Sequence, residues 1–136
     1  MNRRASHVRR EKKHSQHAEF LRDEKRKSLG RIADSFPNLC SVRLSLSFSD
    51  PDRVILPQVS NLERGPEHSA YFREKCTHEC VGGGFDLTPV IEKMVKRKEA
   101  DTSGTMKCEG WQDPERIGRH RCGCQLEYKI SCIYSE

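Results

Sequence analysis

Apolar and polar side chains alternate most cleanly at two places in the chain. In residues 40–48, CSVRLSLSF, Val42, Leu44, Leu46 and Phe48 fall on one side, and Ser41, Arg43, Ser45 and Ser47 on the other. A period of two is that of a strand with one buried face. The same period runs through CQLEYKISCIY, where Leu126, Tyr128, Ile130, Cys132 and Tyr134 share a face; this is the strongest strand signal in the chain. Asp50-Pro51-Asp52 marks a turn. Residues 53–59 then read as a short partner strand that Pro57 confines to a sheet edge, and 60–68 as a loop. Shorter strands are expected at 69–75, running into Cys76, and at 105–108, running into Cys108, with a polar loop from Glu109 to His120.

Helical periodicity is found twice. Val90, Ile91, Met94 and Val95 make the apolar face of a helix over roughly 89–99. Thr88 stands as its N-cap and Pro89 as its first residue, and Asp101-Thr102-Ser103-Gly104 closes it. Residues 5–35 hold good helix formers and no proline, but their apolar stripe is thin. Leu21, Leu29, Ile32 and Phe36 predict a docked second half, behind an exposed and frayed first half, with Pro37 stopping the helix. The expected architecture is α+β: a small antiparallel sheet with one inserted helix, preceded by a basic N-terminal helix. It divides into a partly disordered arm over 1–35 and a folded domain over 38–136.

Composition adds a need for reinforcement. Hydrophobic residues make up 34% of the chain and charged residues 33%. A small domain this poor in apolar side chains is marginal without a staple. Charge is unevenly spread, because residues 1–27 hold ten Lys or Arg against four Asp or Glu. Arg3, Arg4, Arg9, Arg10, Lys12, Lys13, Lys25, Arg26 and Lys27 therefore form a candidate polyanion-binding arm, suited to nucleic acid or a ribonucleoprotein. Phe20 is the only aromatic there, so the expected binding is strongly salt-dependent and weakly sequence-specific. No stretch has the roughly 20 apolar residues of a membrane span, and the N-terminal residues lack the apolar core of a secretory signal. The expected location is the cytoplasm, where thiols stay reduced and clustered cysteines are metal ligands or redox groups more often than disulfides.

The chain has seven cysteines. Cys40 and Cys132 lie on strands and read as small core residues. The other five lie beside glycine and charge in turn-like surroundings. Tetrahedral zinc takes thiolates from short loops, and Cys-x(2–4)-Cys spacing lets two sulfurs converge on one ion. Cys76, Cys80, Cys108 and Cys122 form the preferred ligand set, with Cys124 competing for the fourth place. Gly82, Gly83, Gly84 and Gly123 are placed to let backbone amides face the sulfurs. His78 and His120 read as exposed loop residues rather than ligands. Residues 69–135 resemble the zinc-ribbon class of domains, on the strength of Cys76-x3-Cys80 after a strand, the glycine-rich turn and the second cysteine hairpin. The inserted helix and the stretched second pair depart from that class, which itself implies no particular activity.

Catalysis is not expected. A catalytic zinc keeps one position open to water, whereas four cysteines close it. His17-Ala18-Glu19 matches half of a zinc-deaminase signature, but no Pro-Cys-x-x-Cys follows. The sequence also carries neither a Walker loop nor a nucleophile elbow. The expected function is a non-catalytic zinc-binding protein that engages nucleic acid through its arm. The competing expectations are a protein–protein adaptor and a thiol-based redox sensor. Trp111, with Arg116, Arg119 and Arg121 nearby, is a second candidate contact, either for bases or as a lid on the cysteine hairpin.

Overall fold

The computed structural model describes residues 3–50, 57–78, 80, 82–111 and 121–135, with the side chains of the first helix described from Gln16 onward. The chain opens with helix α1 (Arg3–Leu29) and the single turn α2 (Ile32–Ser35). Strands β1 (Leu39–Ser49) and β2 (Gln58–Arg64) follow, then the short β3 (Arg73–Glu74) and β4 (Phe85–Asp86). Helix α3 (Thr88–Arg97) leads into β5 (Asp101–Lys107) and β6 (Gln125–Tyr134). β1 and β6 pair at the centre of a four-stranded antiparallel sheet ordered β2-β1-β6-β5, while β3 and β4 form a separate two-stranded ribbon. This is the expected α+β class.

The two alternating segments become the two central strands, as an antiparallel sheet with one wet face requires. Val42, Leu44, Leu46 and Phe48 are buried, and register sets them opposite Cys132, Ile130, Tyr128 and Leu126. The opposite face carries Ser41, Arg43, Ser45, Ser47, Lys129 and Ser131. The buried face is covered by Ile32 and Phe36 from the α2 turn, Ala70 and Phe72, Phe85 and Leu87, and Ile91 and Met94 of α3. Phe48 and Phe85 meet with ring centroids 5.7 Å apart, joining the sheet to the ribbon. Full burial of each large apolar side chain stabilises the fold by about 1.5–3 kcal/mol before entropy is charged against it.

Several boundaries differ from the sequence reading, each for a local reason. The N-terminal helix does not run to Ser35. Gly30 adopts φ +66°, a left-handed conformation that ends α1, and its amide still reaches the Arg26 carbonyl. Leu21 is 54% exposed rather than docked; Ala18, Arg22 and Leu29 are the partly covered positions. Cys40 is exposed, not core, because the β1–β6 register shifts between Leu39 and Ser41 and turns it outward. Residues 60–64, read as loop, belong to β2; the earlier part of the expected 53–59 strand, 53–56, lies outside the described residues. Of 69–75, only Arg73 and Glu74 pair as strand. Asp101–Gly104 is not a helix terminus but the first half of β5.

α3 starts one residue earlier than expected, at Thr88. The capping acceptor is Asp86, whose carboxylate takes the Thr88 amide at 3.0 Å, while the Thr88 hydroxyl accepts the Phe72 amide at 2.8 Å. At the other end Lys98 holds φ 55°, with its amide directed at the Met94 and Val95 carbonyls. The Tyr134 hydroxyl donates to the carbonyls of Met94 at 3.1 Å and Glu99 at 2.7 Å, fixing that end of α3 to β6. Burial foremost, and then the neighbouring Cys132, push the Tyr134 phenol up to about 12, so it stays protonated as a donor. No helix among the described residues is long and apolar enough to cross a membrane.

Candidate metal centre

The β3–β4 ribbon and the β5–β6 pair both end at the same place, and each contributes two cysteines there. Cys76 and Cys80 lie on the loop between β3 and β4. Cys108 follows β5 directly, and Cys122 stands just before β6. Their four Sγ atoms all lie within 4.8 Å of one another. Cys76 and Cys122 approach to 3.7 Å, and so do Cys80 and Cys108. A disulfide would set the sulfurs about 2.05 Å apart. Sulfurs on two corners of a tetrahedron with metal–sulfur bonds of about 2.3 Å stand about 3.8 Å apart. The cluster can hold a metal ion, and its spacing is that of ligands rather than of disulfides.

The two halves are built alike. The His78 amide donates to Cys76 Sγ at 3.4 Å, and the Gly110 amide donates to Cys108 Sγ at 3.4 Å. In each case the amide two residues beyond a cysteine turns back on its sulfur, the geometry that stabilises a thiolate. A backbone bond ties the halves together, Glu109 donating to the Gly84 carbonyl at 3.3 Å, and another closes the second half, Cys122 donating to the Gly110 carbonyl at 2.9 Å. At Gly83 a β-carbon would lie 2.0 Å from Cys80 Sγ and 2.9 Å from Cys108 Sγ. At Gly110 it would lie 2.6 Å from the Gly83 Cα. The loops therefore close on the sulfurs only because both positions lack side chains.

Burial dominates the electrostatics. It pushes the Cys76 thiol up, the Cys80 thiol up to about 12, and the Cys122 thiol up. At Cys108 burial is again the largest influence and acts in the same direction, but backbone hydrogen bonds at Gly110 and Gly84 together with those of the Cys76 and Cys80 thiols outweigh it, and the thiol is lowered. Desolvated sulfurs held this close resist ionising together unless a cation joins them. Cations also stand behind the loop. The Arg73 guanidinium donates to the carbonyls of Gly83 at 2.9 Å and Gly82 at 3.4 Å, and pairs with Glu109 at 2.8 Å. Arg22 of α1 donates to the same Gly82 carbonyl at 3.2 Å and lies 3.7 Å from Glu109.

Cys124 is outside the cluster. It is fully buried, with its sulfur 3.6 Å from the Thr77 hydroxyl, on the inward face that its spacing from Leu126 suggests. Cys132 is buried as a core residue, its thiol 3.9 Å from the Met94 sulfur. His78 is neither a member of the cluster nor an exposed loop residue. Its Nε2 lies 3.0 Å from the buried Asp50 carboxylate, anchoring the first cysteine loop to the end of β1. His120, Arg116 and Arg119 lie outside the described residues. Trp111 bridges to Arg121, whose guanidinium stacks 4.4 Å from its ring centroid, closing the base of the long loop.

Of the basic-arm residues, Lys25 and Arg26 lie 5.6 and 5.7 Å from the Tyr71 ring. Lys25 also pairs with Asp86, and Lys27 with Glu24. The side chains of Arg3, Arg4, Arg9, Arg10, Lys12 and Lys13 lie outside the described residues. Arg22, which sequence reading left out of the functional set, is the described arm residue that touches the first cysteine loop; no local signal distinguishes it from its basic neighbours. No family model matches the chain, and neither the curated proteins nor the solved structures provide a match.

Proposed function

We propose that the protein is a non-catalytic zinc-binding protein in which Cys76, Cys80, Cys108 and Cys122 hold one Zn2+ and the N-terminal basic helix binds nucleic acid or a ribonucleoprotein. The convergence of four sulfurs from two loops carries the metal half of this reading. An all-thiolate, half-buried donor set suits zinc over harder cations, which prefer oxygen. Four thiolates around a divalent ion leave a net charge of −2, of which Arg73 and Arg22, less the Glu109 carboxylate they share, offset part. A full set of sulfur ligands leaves no open position for substrate or water, so the role of the metal is structural: it staples the ribbon to the sheet.

The polyanion half rests on the charge of residues 1–27. With Lys25 and Arg26 turned onto Tyr71 and Lys27 paired with Glu24, the binding stretch narrows to Arg3, Arg4, Arg9, Arg10, Lys12 and Lys13. The test is titration of a labelled single-stranded RNA at several salt concentrations. The expected slope of log affinity against log salt is about −0.7 for each phosphate contacted. Replacing those six residues by glutamine should flatten the slope and weaken binding at least about 100-fold at low salt. A slope unchanged by that replacement would move the function to a protein partner.

A further inference from the structure

The outer edge of β5 is built to pair with itself. Cys132 donates its amide to the Ala100 carbonyl at 2.7 Å, and Cys108 donates to the Cys124 carbonyl at 3.0 Å. These two bonds fix the phase of the β5–β6 ladder, whose register sets Thr102, Gly104 and Met106 opposite Ile130, Tyr128 and Leu126. Hydrogen-bonded pairs alternate along an antiparallel ladder. Thr102, Gly104 and Met106 therefore bond to β6, while Asp101, Ser103, Thr105 and Lys107 turn their N–H and C=O groups outward. β5 is the last strand of the sheet, and no described residue pairs with that outer side.

The strand reads Asp-Thr-Ser-Gly-Thr-Met-Lys. We propose that two copies of this chain associate through an antiparallel β5–β5 contact about a two-fold axis at Gly104, making the two four-stranded sheets continuous. Three features of the strand converge on that register. The outward-facing residues fall opposite one another, Asp101 against Lys107 of the second copy and Ser103 against Thr105, so every free edge donor finds an acceptor. Both ends of the seven-residue contact carry an opposite-charge pair on the same sheet face, since Asp101 and Lys107 are both exposed. The axis falls on a non-hydrogen-bonded pair, where the strands approach most closely, at Gly104, the glycine that Tyr128 of the same chain already requires because a β-carbon there would lie 2.5 Å from its hydroxyl.

Edge strands usually repel one another, often with a lysine in the strand. Here the lysine stands at one end and its complement at the other, so the charges select self-pairing. The opposite edge, β2, has no such symmetry. Pairing it with itself about Asn61 would set Val59 against Glu63 and Gln58 against Arg64, and Pro57 precedes it. β5 is therefore the edge that fits a second copy.

Sedimentation equilibrium of the full-length protein over a range of concentrations tests this. A reversible dimer is expected. Lys107→Asp places like charges at both ends and should weaken the dimer about tenfold or more. Adding Asp101→Lys to that variant restores opposite charges and should recover the dimer. Thr105→Pro removes an outward amide without touching the β6 ladder, and should give a monomer whose circular dichroism matches the parent and whose melting temperature, unlike the parent's, does not rise with protein concentration. A parent protein that stays monomeric to its solubility limit overturns the proposal. So does a dimer indifferent to Lys107→Asp, or a charge swap that fails to recover it.

Discussion

Gly83 is the residue on which the candidate metal centre depends most visibly after the cysteines themselves. A β-carbon there overlaps the Cys80 sulfur at 2.0 Å and meets Cys108 Sγ at 2.9 Å, and both sulfurs are fixed from several sides. Gly83→Ala should therefore cost about 3 kcal/mol in chemical unfolding, the upper range for overpacking, and lower metal affinity with it. A variant as stable as the parent would mean that the loop opens freely. Proton competition gives a second expectation at this scale. Burial raises the thiols of Cys76, Cys80 and Cys122, so each holds its proton firmly until a metal displaces it. Metal affinity should climb with pH through the neutral range and the metal should be shed on acidification, as a chromogenic chelator would report. In metal-free protein the sign reverses. Thiols raised above their ordinary value of 9.0 lend stability below that pH, lost as pH rises towards about 12, with the lowered Cys108 opposing them. The cysteine spacing made the four sulfurs legible in the sequence. The supporting contacts were not, because Gly110 meets Gly83, and His78 meets Asp50, only after two distant loops have come together.

At the level of elements, strands with one buried face were the most readable part of the chain, since period-two alternation records which side each residue faces. β1 and β6 were legible for that reason. β5 was legible only in its second half, where a strand was expected to run into Cys108; Thr102 and Gly104 are too weakly apolar to stand out from Asp101 and Ser103, and that first half resembles a helix-ending turn. The ribbon was overestimated in length: beyond the single bond from the Leu87 amide to the Phe72 carbonyl at 2.7 Å it does not continue, and Tyr71 and Phe72 are buried by packing. The end of α3 supplies a prediction. Lys98 adopts φ 55°, a conformation costing a side chain about 1 kcal/mol that glycine avoids. Lys98→Gly should raise stability by up to about 1 kcal/mol in thermal unfolding. A loss of that size would instead show that the lysine side chain holds the α3–β5 junction.

Across the molecule, one cluster of charges joins the arm to the first cysteine loop. Arg22 and Arg73 share Glu109 and the Gly82 carbonyl, so the C-terminal half of α1 rests on a loop whose shape depends on the four sulfurs. Individual exposed ion pairs contribute about 1 kcal/mol at most, and the described apolar contact from α1 is confined to Leu29. Removing the metal should therefore loosen α1 as well as the cysteine loops. Amide exchange over residues 16–29 should accelerate when metal is chelated; unchanged exchange there would show that α1 docks independently of the metal loop. A basic helix with almost no apolar stripe gives the sequence no means of announcing where it docks, and only the folded loop supplies the Gly82 carbonyl that Arg22 finds.

The central claim is that four cysteines hold one metal ion, and elemental analysis of untagged protein, paired with thiol titration under native conditions, tests it most directly. The account predicts about one zinc per chain in the parent, with Cys76, Cys80, Cys108 and Cys122 protected from thiol reagents until the metal is chelated. It also predicts loss of the metal on Cys108→Ser but retention on Cys124→Ser. Protein that folds without metal and has all four thiols reactive, or that keeps its zinc when Cys108 is replaced, would contradict it.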